Sequence, residues 1–163
     1  MRMLIVEDDE NKRKQVVNFV EETWPAAHIS VVRSLQSGLR AILSGGLDLI
    51  VLDMSLPTYD VTVEEDGGRL QAYAGREILR QMDRRQIGVP VVVVTQFDKF
   101  GEGVAALTRE ELDAQLQRAH PRVYRGMVYY NVALDGWKDD LTRIVDHLGS
   151  LSRGNGNVEN LNC

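Results

Sequence analysis

Carboxylates, and one hydroxyl, stand in this chain where short apolar runs end. Glu7-Asp8-Asp9-Glu10 follows Leu4-Ile5-Val6, Asp53 follows the run from Leu47 to Leu52, and Thr95 follows Val91 to Val94. If the runs are neighbouring strands, three carboxylates (Glu7, Asp8 and Asp53) meet at one sheet edge. Like charges that close repel, and a bound hard cation is a common resolution. Mg²⁺ suits such a place, because it takes a few carboxylates and keeps waters and phosphate oxygens as its other ligands. A carboxylate beside Mg²⁺ can accept a phosphoryl group, and a hydroxyl on the next strand can hydrogen-bond a phosphoryl oxygen. No glycine-rich phosphate loop is present; Gly101-Glu102-Gly103 is short and follows no strand directly.

The elements that must position these residues alternate. Strands are expected at Leu4–Val6, Ile29–Val32, Leu47–Leu52, Val91–Val94 and Met127–Tyr130. Asp9 or Glu10 opens a first helix to Trp24, with Pro25 as its stop and Val16, Val17, Val20 and Trp24 on its inner face. Ser34 caps a second helix, which ends at Gly45-Gly46. A third helix spans about 75–85. Thr108-Arg109-Glu110-Glu111 is a capping-box pattern for a fourth, over 109–119. The last begins near Asp135. Five strands alternating with five helices imply right-handed crossovers and a parallel sheet with helices on both faces. Ligands in such sheets bind at the carboxyl ends of the strands.

Composition bounds the rest. The 163 residues fit one domain, and 44% hydrophobic with 26% charged residues is ordinary for a globular chain. The net charge of −5 disfavours nucleic acid and anionic lipid. The short basic run Lys12-Arg13-Lys14 reads as a solvated helix face. No stretch is long enough for a membrane span or a secretory signal, and a lone Cys163 excludes an intramolecular disulfide. A cytoplasmic protein is the simplest expectation. His28, His120 and His147 share no ligand spacing and read as structural or surface positions.

In order and spacing, Leu4–Glu10, Val51–Pro57, Gly75–Leu79 and Pro90–Thr95 resemble the receiver domain of two-component response regulators. The resemblance implies a doubly wound, five-stranded, flavodoxin-like α/β fold over residues 1–151; the remaining 152–163 are Asn/Gly-rich and read as a disordered tail. It makes Asp53 the phosphoacceptor. Glu7 and Asp8 become the acidic pair, with Asp8 the more direct metal ligand. Mg²⁺ would also take Asp53 and the backbone carbonyl of Ser55. Thr95 becomes the switch hydroxyl, and Pro57 matches the proline of the following loop.

Four departures accompany the match. The family's lysine at the end of the fifth strand falls on Asn131, which can donate a hydrogen bond but supplies no charge. Of the four lysines, Lys12 and Lys14 belong to the first helix; Lys99 and Lys138 are left as substitutes, with Lys99 preferred. The switch aromatic falls on Val128, with Tyr129 and Tyr130 displaced toward Asn131. The position after Thr95, commonly small, is Gln96. Two insertions, near 61–74 and within 96–122, lie on the side of the strand ends; a lid or partner surface and plain loop growth are equally open readings.

The resemblance thus implies a stand-alone receiver, phosphorylated by a histidine kinase or phosphotransfer protein. With no output domain after the last helix, it would signal through contact with a downstream protein, and a homodimer is a further partner state. It would be no enzyme beyond forming and losing its own aspartyl phosphate. The alternative is a pseudo-receiver, an interaction module not switched by phosphate. A Mg²⁺-dependent phosphohydrolase is the weakest reading, because Asp53-Met54-Ser55 lacks a second carboxylate two residues on.

Overall fold

The computed structural model describes residues 1–60 and 70–154. Its centre is a five-stranded parallel sheet built from β1 (Arg2–Val6), β2 (His28–Val32), β3 (Leu49–Leu52), β6 (Val91–Thr95) and β9 (Tyr124–Tyr129). The strand order is β2-β1-β3-β6-β9, so the order reverses at β1 and the cleft beside it opens at the carboxyl ends of β1 and β3.

Alternation along each strand divides the apolar side chains between two cores. Leu4, Val6, Ile50, Leu52, Val91 and Val93 face one side. They pack against α2 (Leu35–Leu43), α3 (Ala74–Arg84) and α4 (Arg109–Ala119) through Leu35, Ile42, Ile78, Leu79, Met82, Leu112 and Leu116. Met3, Ile5, Leu49, Val51, Val92 and Val94 face the other. There they meet α1 (Glu10–Thr23) and α5 (Gly136–Gly154) through Val16, Val20, Trp137, Leu141 and Val145. The central strands β3 and β6 are buried along their whole length, as strands covered on both faces must be.

The helix starts follow their caps. Asp9 caps α1 by accepting from the Lys12 amide, Ser34 caps α2 in a reciprocal pair with Ser37, and Thr108 does the same for α4 with Glu111. Several strand boundaries shift by one to three residues from expectation, two of them for a visible reason. β3 starts at Leu49 because Asp48 is occupied with the Arg2 backbone, accepting its amide on the side chain at 2.6 Å. β9 starts three residues early, at Tyr124, because a bulge interrupts its pairing with β6: Val91 opposes Tyr124, and Val93 opposes Met127. Gly126 serves the bulge at φ 136°, a conformation side chains rarely adopt.

The stretches read as loops contain short antiparallel pairs, too brief to leave a period. β4 (Leu56–Pro57) pairs with β5 (Leu70–Gln71), and β7 (Lys99–Phe100) pairs with β8 (Leu107–Thr108). The second pair is anchored. Phe100 is buried in the α3/α4 core, and its carbonyl accepts the Tyr73 hydroxyl at 2.7 Å. Most of the first insertion lies outside the described residues. So does most of the expected tail, although α5 runs on to Gly154. Among the described residues no helix is long and apolar enough to cross a membrane.

Candidate functional site

The sheet hands its backbone directly to the acidic residues. The Glu7 amide donates to the Val32 carbonyl at 3.0 Å, and the Asp53 amide to the Val6 carbonyl at 2.9 Å. Both side chains therefore leave the sheet from fixed points and are almost fully buried, at 3% and 4% exposure. Asp8 is half-buried. One carboxylate oxygen from each of Glu7, Asp8 and Asp53 lies within 4.8 Å of the other two. The expected acidic cluster is thus assembled as a unit.

Asp53 is held from several sides. Its Oδ1 accepts the Met54 amide at 2.8 Å. Behind it the first turn of α3 comes close: a side chain at Gly75 would stand 3.1 Å from the Asp53 carbonyl and 3.0 Å from the Met54 sulfur. Ser55 is buried, with its hydroxyl donating to the Ala72 carbonyl at 3.3 Å. Thr95, the last residue of β6, is fully buried, and its Oγ1 accepts the Phe97 amide at 3.2 Å.

The cation of the site is Lys12. Its side chain is 1% exposed, and its Nζ lies 2.6 Å from Glu7 Oε2 and 3.2 Å from Asp53 Oδ1. The same nitrogen donates to the Val94 carbonyl at 2.7 Å. An ammonium has three donors, and all three are placed. The expectation of a solvated face for Lys12-Arg13-Lys14 is corrected here. Lys14 is exposed and pairs with Glu10, whereas Lys12 points inward. Lys99, preferred from the sequence as the substitute cation, is exposed on β7, a strand committed to the short hairpin with β8. Lys138 pairs with Asp135. The signal for Lys12 was present: it lies four residues before Val16 and eight before Val20, on the inner stripe of α1.

The departures on β9 also find their places. Asn131 turns its side chain into its own loop, accepting the Ala133 amide at 2.9 Å. Val128 is buried in the α1/α5 core and pairs with Val94. Tyr129, opposite Thr95, stacks under the Arg109 guanidinium at the start of α4, 4.1 Å from ring centre to carbon. Tyr130 packs on Trp137 on the other face, with the Lys12 ammonium 6.0 Å from its ring centre. Gln96 is exposed.

The electrostatics are those of an unbalanced buried cluster, three carboxylates against one ammonium. Burial pushes Glu7 up to about 8, against the opposing pull of Lys12. Burial raises Asp53 too, and burial together with the Asp53 charge raises Asp8. For Lys12, burial works against the charged form, but Asp53 and Glu7 outweigh it and hold the ammonium above its ordinary range. All the acidic donors are hard oxygens and their charge is not fully met by Lys12, which is the donor set of a hard divalent cation.

A family model described as the response regulator receiver domain matches residues 3–117. An uncharacterized protein, y4jR, of Sinorhizobium fredii is 35% identical over 140 residues, 85% of this chain and 92% of that one. The Detocs response regulatory protein DtcB of Enterobacter cloacae is 28% identical over 150 residues, 91% of this chain and all of its own. Among solved structures, the signal receiver domain of a Luxo repressor protein from Vibrio parahaemolyticus superposes with a TM-score of 0.62 at 19% identity, covering 98% of this chain and 97% of that one. The receiver domain of a sensor histidine kinase from Pseudomonas aeruginosa, with a magnesium ion coordinated in its active-site cleft, gives 0.55 at 16% identity, covering 91% and 97%. The matched span contains Glu7, Asp8, Lys12, Asp53 and Thr95, and the fold around them is that of the solved receivers. On the sequence match and the topology alike, this chain belongs to the response regulator receiver family.

Proposed function

We propose that this receiver accepts a phosphoryl group on Asp53 from a histidine kinase or phosphotransfer protein in the presence of Mg²⁺, and passes the signal on by protein–protein contact. The observation that carries the reading is the Asp53 carboxylate, buried at a strand end, grouped with Glu7 and Asp8 and 3.2 Å from an ammonium. In the transfer, an Asp53 carboxylate oxygen forms a bond to phosphorus. The bond from phosphorus to the donor nitrogen or oxygen breaks, and its electron pair leaves with the donor.

Glu7, Asp8, Asp53 and the Ser55 carbonyl would hold the metal. When bound, Mg²⁺ offsets charge on the transferring group. The chain's own residues do the rest. The Met54 amide fixes Asp53, which saves reorganisation at the moment of reaction. The Thr95 hydroxyl accepts from Phe97, so its own proton remains for a phosphoryl oxygen. Likeness to a Detocs response regulatory protein supports pairing with a sensor protein, and a cytoplasmic setting goes with such partners. The chemistry is confined to forming and losing the chain's own acyl phosphate.

Acetyl phosphate with Mg²⁺ tests this directly. A phosphate mass adduct that disappears in Asp53→Asn is the expected result. No adduct with acetyl phosphate or a kinase would sink the reading in favour of a pseudo-receiver, which the Asn131 side chain, turned into its loop, favours. Turnover of many phosphoesters would show a hydrolase instead.

A further inference from the structure

The receiver family supplies its active-site ammonium from the end of the fifth strand, the place of Asn131 here. We propose that in this chain Lys12 makes that contact from the first helix, so that the phosphoryl group on Asp53 is held by a cation delivered from α1; this rests on Asp53 being the phosphoacceptor.

Four observations carry it. Of the chain's four lysines, Lys14 and Lys138 are paired elsewhere and Lys99 is exposed on the hairpin. Lys12 is 1% exposed and touches Asp53 Oδ1. The Asn131 side-chain oxygen is engaged within its own loop, accepting the Ala133 amide. The base of Lys12 is itself fixed by the acidic cluster: its amide donates to Asp9 Oδ1 at 2.8 Å, and the Asp9 amide donates to Glu7 Oε1 at 3.0 Å. The ammonium is thus placed from both ends of the side chain.

The arrangement also explains what Lys12 does before transfer. It bridges Glu7 and Asp53, two of the proposed metal ligands, and offsets part of their repulsion. To reach a phosphoryl oxygen it must release an acceptor, and one of its three is the carbonyl of Val94, the residue before Thr95. Release of that carbonyl would carry phosphorylation directly to β6. A strand-borne lysine would sit outside the α1 helix; here the helix itself carries the contact.

The test uses the wild-type chain, Lys12→Met, Lys12→Met with Asn131→Lys, and Lys12→Gln in case the methionine variant misfolds. Labelling by acetyl phosphate should slow about a hundredfold in the Lys12 variants, the usual loss when one charge-stabilising donor is removed. Circular dichroism should remain folded, and calorimetric Mg²⁺ binding should tighten because Glu7 and Asp53 lose their bridging cation. Restoring a lysine at Asn131 should recover part of the rate. A readout that needs no variant is the ammonium signal of ¹⁵N-lysine-labelled wild type. The buried Lys12 group should exchange slowly enough to be seen, and should shift when Mg²⁺ and beryllium fluoride are added. An unshifted signal beside a normal adduct, or labelling of Lys12→Met within twofold of wild type, would overturn the role of Lys12 while leaving Asp53 as acceptor. Absence of an adduct in the wild type would instead remove the functional reading beneath it.

Discussion

At the scale of single residues, the site is defined by charges that cannot all be satisfied at once. Glu7 is the clearest case, raised by burial to about 8. A carboxyl group whose pKa is higher folded than unfolded stabilises the fold fully below its unfolded value, and that contribution is lost as pH rises through its folded value. The window here runs from about 4.5 to about 8. The metal-free protein should therefore melt several degrees lower at the alkaline end of that window than at the acid end, at about 2–4 °C for each kcal/mol lost. Thermal melts in chelator across the window check this, and Glu7→Gln should flatten the dependence. A flat wild-type profile would contradict the burial argument. Sequence gave access to the carboxylates because strand ends are marked by the apolar runs before them. It hid Lys12 because a lysine on a helix reads as solvated until its register with Val16 and Val20 is counted. Its neighbours Arg13 and Lys14 obscured it further: Arg13 donates to the Asp8 carbonyl at 2.9 Å, and Lys14 lies exposed.

At the scale of elements, the caps did most to make the helices legible. Ser34, Thr108 and Glu111 stand where reciprocal hydrogen bonds demand them. Thr108→Ala should cost about 1 kcal/mol of stability, measurable as a lowered urea midpoint with an unchanged slope. Since Arg109, the first residue of α4, is stacked on Tyr129, the same change should alter Tyr129 fluorescence if that contact depends on the helix start. The short strands were illegible for the opposite reason. β4, β5, β7 and β8 have two residues each, and two residues carry no alternation. Their existence follows from long-range partners such as Tyr73 and Phe100, which no local pattern announces.

At the scale of the whole molecule, the stretch after β6 that holds Phe97 and Phe100 is a built part of the fold. Phe97 and Phe100 meet edge to face, with ring centres 6.4 Å apart, and Phe100 is only 1% exposed. Phe100→Ala should lower stability by about 3–5 kcal/mol, the usual cost of truncating a buried phenylalanine. A loop merely tolerated on the surface would lose under about 0.5 kcal/mol, so chemical denaturation separates the two. The bulge in β9 has a consequence at this scale as well. Tyr124 and Met127 both face the α3/α4 core although three positions separate them, so the strand changes parity between them. Every later residue inherits the change, including Tyr129 toward α4 and Tyr130 toward Lys12. Loss of one codon at Arg125 or Gly126 would remove the bulge and leave each tyrosine on its own face, whereas loss of both would exchange the two tyrosines between faces. The bulge therefore works as a spare link in the strand, whose removal should be tolerated singly and not in pairs.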